Sequence, residues 1–218
     1  MIKSFELSTK ENKKIKKKNK LYIYIKRIFD IFLSGIGLIL SFPFWVLIAI
    51  FIVMEDGGPI FIKQKRIGIG GKIFKILKFR SMDRNAHLES PVNHKGEILN
   101  QRVTRVGKFL RATAMDELPQ LISIFLGNMS FVGPRPIHPE ELKINGSRYE
   151  NLEEIPDFHK RCSVKPGLTG LAQIYRRKHD YFERKLKYDL LYLKKQCFTL
   201  DLKLILISFF VSFLGKWD

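Results

Sequence analysis

Two adjacent carboxylates, Asp116 and Glu117, stand apart in the charge pattern of this chain. They are the only acidic residues between Glu97 and Glu140, in a chain whose formal net charge is +18. The same stretch contains several cationic side chains, namely Arg102, Arg105, Lys108, Arg111 and Arg135. A carboxylate in cationic surroundings can attack or protonate an anionic substrate, and two carboxylates can hold a divalent cation that bridges phosphates. The pair is therefore the first candidate for catalysis and for metal binding.

The segment that follows the pair predicts an element to carry it. Its apolar residues recur at helical spacing, at Leu118, Leu121, Ile122 and Phe125. Pro119 is tolerated only in a first helical turn, because its missing N–H would have no partner there. We therefore expect a helix that begins close to Asp116. The alternative role is structural, since carboxylates at a helix start are stabilised by the helix dipole.

Rigid cationic loops elsewhere in the chain are suited to binding anions. A GPRP segment holds Arg135 between two prolines, which favours bidentate contact with a phosphate. A KPGLTG segment places Lys165 in a glycine-rich loop whose backbone N–H groups can approach an anion. A KFRS segment adds Lys78 and Arg80. Each segment alone is more often a turn or a solvated charge, so only their combination indicates a site.

An uncharged run of 24 residues extends from Ile31 to Met54. As a helix it would be about 36 Å long at roughly 1.5 Å per residue, which exceeds the ~30 Å hydrocarbon core of a bilayer. Pro43 lies near its middle, two residues after Ser41, and predicts a break there. Basic residues flank both ends, and such residues mark the cytoplasmic side. A re-entrant helix-break-helix with both ends in the cytosol is therefore favoured over a simple span.

Composition and pattern divide the 218-residue chain into three parts. Residues 1–27 form a basic N-terminal arm, residues 28–56 the re-entrant membrane helix, and residues 57–218 a cytosolic catalytic domain. The excess of basic residues implies an anionic partner, which composition leaves open among nucleic acid, an anionic membrane surface and phosphorylated small molecules. The two cysteines have neither metal-site nor disulfide-framework spacing.

Within the cytosolic part, the pattern predicts one hairpin and two C-terminal helical segments. Residues 60–67 and 72–79 flank the GIGG turn at 68–71, which indicates a β-hairpin. An amphipathic helix is marked by Phe182, Leu186, Leu190 and Leu193. The uncharged run at 204–214 is too short to span and is expected at the membrane interface or in the core. The predicted fold class is α+β, mostly helical with a short β-hairpin, in a monotopic membrane protein.

Four segments together resemble the bacterial sugar transferases, or monotopic phosphoglycosyl transferases, which start capsule, O-antigen, exopolysaccharide and glycoprotein assembly. The segments are KFRSM (78–82), DELPQ (116–120), MSFVGPRP (129–136) and VKPGLTG (164–170). The resemblance extends from about Lys26 to Trp217, and the chain is similar to a minimal catalytic form without additional N-terminal spanning helices. It implies an enzyme at the cytosolic face of the bacterial inner membrane.

The resemblance also implies a reaction and a role for each candidate residue. A sugar phosphate would pass from a UDP-sugar to polyprenol phosphate, with release of UMP. Asp116 would be the nucleophile that forms a phosphosugar-aspartyl intermediate, Glu117 would assist, and Mg²⁺ held at this pair would offset the diphosphate charge. The implied phosphate-binding residues are Arg111, Arg135, Lys78, Arg80 and Lys165. The break at Ser41 and Pro43 would be the family's membrane anchor.

Two alternatives stay open on the sequence alone. A membrane-tethered module that binds nucleic acid or anionic lipid would explain the charge without catalysis, but it gives no reason for two isolated carboxylates. A non-catalytic scaffold of a glycan-assembly complex is the other. The predicted partners are a UDP-sugar, polyprenol phosphate and membrane lipid, and no nucleic acid.

Overall fold

The computed structural model describes residues 20–84, 103–139, 154–175 and 182–214. The helices are α1 (Lys20–Asp56), α2 (Arg105–Ala112), α3 (Gln120–Leu126), α4 (Phe158–Arg161), α5 (Leu171–Tyr175), α6 (Phe182–Lys195) and α7 (Phe198–Phe213). The strands are β1 (Phe61–Ile67), β2 (Ile73–Phe79), β3 (Ser130–Val132) and β4 (Gly167–Thr169). This part of the chain is mostly helical with a small antiparallel hairpin, as predicted. Most of the basic arm lies outside the described residues.

Strands β1 and β2 form the predicted hairpin. They pair antiparallel with Phe61 opposite Phe79 and Ile67 opposite Ile73. Gly70 and Gly71 both have positive φ in the turn between the strands, a conformation that glycine adopts without steric cost. The Gly70 N–H donates to the carbonyl of Cys162 at 2.7 Å, which fixes the tip of the hairpin to the rest of the domain.

The structure also contains a second, parallel pair of strands, which the sequence pattern does not predict. Strand β3 pairs with β4 through Ser130 opposite Gly167 and Val132 opposite Thr169. The pairing is very close, because a Cβ on Gly167 would lie 2.0 Å from the backbone nitrogen of Gly133. Strands of three residues show too little alternation to be recognised from sequence. Their pairing brings the GPRP and KPGLTG loops side by side.

Helix α1 runs without interruption through Pro43. The prediction of a break at Ser41 and Pro43 is therefore wrong, since the helix continues through both residues. A proline inside a helix removes only one backbone donor, so the neighbouring turns can keep their hydrogen bonds. The Ser41 hydroxyl is occupied locally, since Trp45 Nε1 donates to Ser41 Oγ at 3.0 Å. The helix also includes residues 20–27, which the charge pattern assigns to the arm.

Both halves of α1 pack against the rest of the protein. In the first half, the Arg27 guanidinium donates to the carbonyls of Ile124 and Phe125 at 2.7 and 2.8 Å, at the end of α3. Further on, Asp30 Oδ1 accepts the N–H of Phe131 at 3.0 Å. In the second half, Ile48 and Ile52 lie in one buried cluster with Phe79 and Leu110, of β2 and α2. One face of the helix is thus applied to the domain near both ends.

The opposite face of α1 is apolar and exposed. It includes Phe32, Leu40, Phe44 and Phe51, each more than half exposed. Within the described residues, α1 is the one helix long and apolar enough to cross a membrane. The core helix of a soluble protein with the same composition would bury these side chains, since burial of apolar surface drives folding.

The C-terminal helices occupy the predicted segments. Leu186 and Leu193 of α6 are buried, as the amphipathic pattern predicts. Helix α7 packs through Leu204, which is 1% exposed, whereas Phe209 and Phe213 of the same helix are 70% and 80% exposed. Two aromatic side chains at such exposure leave α7, like α1, with an outward apolar surface.

Candidate active site

Asp116 and Glu117 lie in a single 3₁₀ turn, Met115–Glu117, between α2 and α3. The α-helix begins only at Gln120, so the expected helix start is displaced by several residues. Pro119 has no N–H to donate and takes the N-cap position of α3, so the regular helix starts directly after it. The Leu118 N–H closes the preceding turn by donating to the carbonyl of Met115 at 3.2 Å. The 3₁₀ turn therefore holds the pair, and α3 follows it.

Lys78 of β2 inserts its ammonium group between the two carboxylates. Its Nζ lies 2.5 Å from Glu117 Oε1 and 3.5 Å from Asp116 Oδ2. Most of each of these three side chains is withdrawn from solvent. Charge-assisted hydrogen bonds of this kind are about twice as strong as neutral ones, so the three side chains form one unit.

The pKa values of the two carboxylates are shifted in opposite directions. Burial raises the pKa of Asp116, Lys78 opposes this, and the charge of Glu117 adds to the rise. Burial also acts to raise the pKa of Glu117, but Lys78 and then Arg135 outweigh it, and the net shift is downward. Glu117 therefore keeps its negative charge as the pH falls, and Asp116 is the first of the pair to take a proton.

Two of the predicted phosphate-binding arginines accompany the pair. Arg135 Nη2 lies 4.0 Å from Glu117 Oε1, and about a third of its side chain is exposed, so it can reach a bound anion. Arg111 Nε donates to Ser81 Oγ at 2.9 Å. Its positive charge also acts to lower the pKa of Asp116. Together with Lys78, these side chains surround a carboxylate pair with cations, as the reaction of an anion with an anion requires.

Arg66 is a further cation at the site, and no motif in the sequence singles it out. Its charge contributes to the lowered pKa of Glu117. Arg66 lies on β1 opposite Phe74, and Lys78 lies opposite Ile62, so both cations are on the same face of the hairpin. The alternation along β1 was the signal that could have placed Arg66 there.

Arg80 lies elsewhere in the structure. It is 5% exposed, and its Nη2 donates to Asp56 Oδ1 at the end of α1. Strand β2 ends at Phe79, so the alternation that would put residues 78 and 80 on one face stops between them. A buried arginine already paired with a carboxylate is poorly placed for a phosphate.

Lys165 is also directed away from the carboxylate pair. Its Nζ and the Arg27 guanidinium both lie within 3.4 Å of the point where a Cβ on Gly127 would be. Burial lowers the pKa of Lys165, and the charge of Arg27 lowers it further. Both cations face the C-terminal end of α3, where positive charge is stabilised by the helix dipole.

The donor set limits how the site could hold Mg²⁺. Among the described residues, no group of three or more His, Cys, Asp and Glu side chains is arranged to bind a metal ion. Asp116 and Glu117 supply carboxylate oxygens, but Lys78 already occupies Glu117 Oε1. Mg²⁺ is commonly held by one or two carboxylates together with substrate phosphates. The residues fit that mode of binding, in which Asp116 and Glu117 would be the protein ligands.

A family comparison covers the whole of this arrangement. Residues 21–215 match the family described as bacterial sugar transferase. The chain belongs to the bacterial sugar transferase family. The matched range includes α1 from its second residue, the hairpin, the carboxylate pair and the C-terminal helices. The resemblance that the four sequence segments indicate is thereby confirmed.

Curated relatives agree with this family. The chain is 39% identical over 204 residues to a UDP-glucose:undecaprenyl-phosphate glucose-1-phosphate transferase of Klebsiella pneumoniae, covering 91% of this chain and 42% of that protein. It is 41% identical to an exopolysaccharide production protein of Rhizobium leguminosarum, with 70% and 74% covered. It is 37% identical to a putative undecaprenyl-phosphate N-acetylgalactosaminyl 1-phosphate transferase of Bacillus subtilis, with 86% and 87% covered. This sugar transferase spans less than half the length of the Klebsiella protein.

Proposed function

We propose that this sugar transferase moves a sugar phosphate from a UDP-sugar to polyprenol phosphate at the cytosolic face of the bacterial inner membrane, releasing UMP and starting a glycan. The observation that carries the proposal is the Asp116–Glu117 pair with Lys78 between its carboxylates and arginines beside it. The names of the Klebsiella and Bacillus relatives support the donor and acceptor classes. The family includes relatives that carry different sugars, so we propose the reaction class and no particular sugar.

The chemistry is a double displacement at one phosphorus atom. An Asp116 carboxylate oxygen attacks the phosphorus that carries the sugar, and the bond from that phosphorus to the bridging oxygen breaks. UMP departs with the electron pair, which leaves the phosphosugar joined to Asp116 as an acyl phosphate. A phosphate oxygen of the polyprenol phosphate then attacks the same phosphorus and releases the Asp116 carboxylate. The product is a polyprenol-diphosphate-sugar, and the enzyme returns to its starting state.

The neighbouring side chains lower the cost of bringing two anions together. Lys78 and Arg135 keep Glu117 ionised and place positive charge where the diphosphate must lie. Asp116 has to be ionised to attack, and Lys78 opposes the effect of burial on its pKa. Mg²⁺, if held by Asp116 and Glu117, would supply further neutralisation of the negative charge of the diphosphate.

The packing of α1 supports attachment to one side of the membrane. Arg27 near its start binds the end of α3, and Glu55 near its end accepts the backbone N–H groups of Arg105 and Val106 at 2.6 and 3.1 Å. A helix that crossed the bilayer would carry one of these ends away from the domain. The exposed apolar faces of α1 and α7 remain for lipid, so we propose a monotopic protein.

Release of UMP tests the proposal. A panel of UDP-sugars is incubated with undecaprenyl phosphate and Mg²⁺, and wild type is compared with Asp116→Asn. The matched control is Asp157→Asn, which removes an exposed carboxylate that pairs with Lys160 at 2.9 Å outside the site. We expect Asp116→Asn to lose on the order of 10³-fold or more in turnover and the control to retain it. If Asp116→Asn turns over as fast as wild type, Asp116 is not the nucleophile. If wild type turns over no sugar, the result favours the non-catalytic scaffold.

A further inference from the structure

Arg135 is the one residue of its Pro-Arg-Pro segment that has a backbone N–H. Pro134 and Pro136 restrict the backbone on either side but donate no hydrogen bond. The flanking backbone is pinned to β4, because Gly133 N–H donates to the Thr169 carbonyl at 3.0 Å and Gly167 N–H donates to the Pro134 carbonyl at 2.9 Å. These bonds fix the loop up to Pro134, and the orientation of Arg135 itself needs another constraint.

A buried ion pair supplies that constraint. Arg161 Nε lies 2.7 Å from Asp189 Oδ2, and both side chains are at most 4% exposed. Arg161 Nη2 donates to the carbonyl of Arg135. On the other side, a backbone hydrogen bond from Arg135 acts to lower the pKa of the Asp189 carboxylate, which places the Arg135 N–H towards it. Both backbone polar groups of Arg135 are therefore held by the same pair.

Neither member of the pair is among the largest influences on the pKa values of the two carboxylates. Arg161 is on α4 and Asp189 is on α6, and the cations that affect Asp116 and Glu117 most are others, Lys78 and Arg135 among them. Buried ion pairs are weak evidence of a gain in stability, because desolvation offsets their attraction. The consequence of this pair is geometric instead. It fixes the backbone of Arg135 from two sides, and only the Arg135 side chain is left to rotate.

We propose that the Arg161–Asp189 pair is a positioning device that holds the backbone of Arg135 so that its guanidinium faces Glu117 and the phosphates of the bound donor. The benefit for donor binding rests on the proposed function, whereas the hold on Arg135 does not. Holding an arginine in advance lowers the entropy lost when it binds a phosphate bidentately. Loss of the pair is therefore expected to weaken donor binding more than it slows the chemical step.

A double variant separates positioning from folding. Arg161→Met combined with Asp189→Leu removes both charges at similar volume, a type of replacement that is often neutral for stability. Thermal unfolding in detergent establishes that the variant is folded. In ¹⁵N-arginine-labelled protein we expect exchange of the Arg135 amide to rise about tenfold, because its acceptor is gone. Unchanged exchange in the folded variant would overturn the hold on Arg135, whatever reaction the protein catalyses.

Kinetics test the consequence for the donor. We expect KM for the UDP-sugar to rise about tenfold, as for a lost charge-assisted hydrogen bond, with a smaller change in kcat. In an Arg135→Gln background the double variant should add no further rise, because the pair acts through Arg135. Lys160→Gln, next to Arg161 on α4, is the control and should keep the wild-type KM. An unchanged KM, or an equal rise in the Arg135→Gln background, would overturn the positioning role. If wild type releases no UMP, the proposed function fails, and amide exchange still decides the hold on Arg135.

Discussion

Lys78 Nζ lies 2.5 Å from Glu117 Oε1, although the two residues are 39 positions apart in the chain. The contact joins the hairpin to the turn that carries the carboxylates. It helps to lower the pKa of Glu117, whereas burial raises the pKa of Asp116, so Asp116 is the first of the two to take a proton as the pH falls.

Replacement of Lys78 by methionine should change the pH profile of turnover. The ammonium lowers the pKa of both Asp116 and Glu117, so its loss raises both pKa values. In the proposed mechanism Asp116 attacks only when ionised, so activity would be lost as the pH falls through its pKa. The acid limb of kcat is therefore expected to move to higher pH. At neutral pH we expect a loss on the order of 10²-fold, as for one electrostatic contact at a reacting centre.

The measurement is kcat for UMP release between about pH 5 and 9, a range above the ordinary pKa of an aspartate carboxyl. Lys63→Met is the matched control, because Lys63 is an exposed residue of β1 that faces away from the site, opposite Leu77. An acid limb that stays in place while kcat falls would show that Asp116 does not set it.

Asp56→Asn should affect stability more than substrate binding. Arg80 is buried, its Nη2 is paired with Asp56 Oδ1, and its Nε and Nη1 have no protein partner. Removal of the carboxylate leaves an uncompensated buried cation. We expect a cost of about 3 kcal/mol, the lower end for buried pairs, because a fifth of the Asp56 side chain faces solvent.

Denaturant unfolding in detergent checks this cost, with Asp157→Asn as an exposed-pair control whose expected effect is about 0–1 kcal/mol. KM for the UDP-sugar should stay unchanged in Asp56→Asn. If KM rises while stability does not fall, Arg80 contacts the phosphates as the family resemblance implies, and its assignment as a structural residue is wrong.

The sequence predicts best what is encoded locally. The hairpin follows from the GIGG turn between two strand-forming runs, and the carboxylate pair is conspicuous because acidic residues are absent around it. Lys78 contacts the carboxylate pair and Arg80 contacts Asp56, and this difference depends on where β2 ends. The residue types do not predict that end. Likewise, Arg161 and Asp189 are in contact although they are 28 positions apart in the chain, and no motif around either residue predicts the contact. Non-local ion pairs of this kind require the fold before they can be recognised.

A negative charge on the outward face of α7 should weaken membrane binding. Phe209 is 70% exposed and lies on the apolar surface that we assign to lipid. Its transfer to the membrane contributes about 1.5–3 kcal/mol, so Phe209→Asp should reduce partition into vesicles by roughly 10- to 100-fold. Thr199→Asp adds the same charge at the exposed start of α7 and should leave partition nearly unchanged.

Flotation with vesicles of anionic and zwitterionic lipid provides the measurement. Equal flotation of Phe209→Asp and wild type would mean that α7 does not contact lipid and that α1 alone attaches the protein.

Cysteine labelling in cells tests the one-sided topology. Lys20 and Lys72 are exposed, and they lie at the start of α1 and beyond its other end, in the hairpin. In a Cys197→Ser background, which removes the exposed native thiol, Lys20→Cys and Lys72→Cys are each treated with a membrane-impermeant maleimide, before and after the inner membrane is opened. We expect both positions to react only after opening, because basic flanks remain on the cytosolic side and both ends of α1 pack on one domain. Reaction of Lys20→Cys before opening would make α1 a spanning helix. It would also require the Arg27 contacts with α3 to be broken in the membrane.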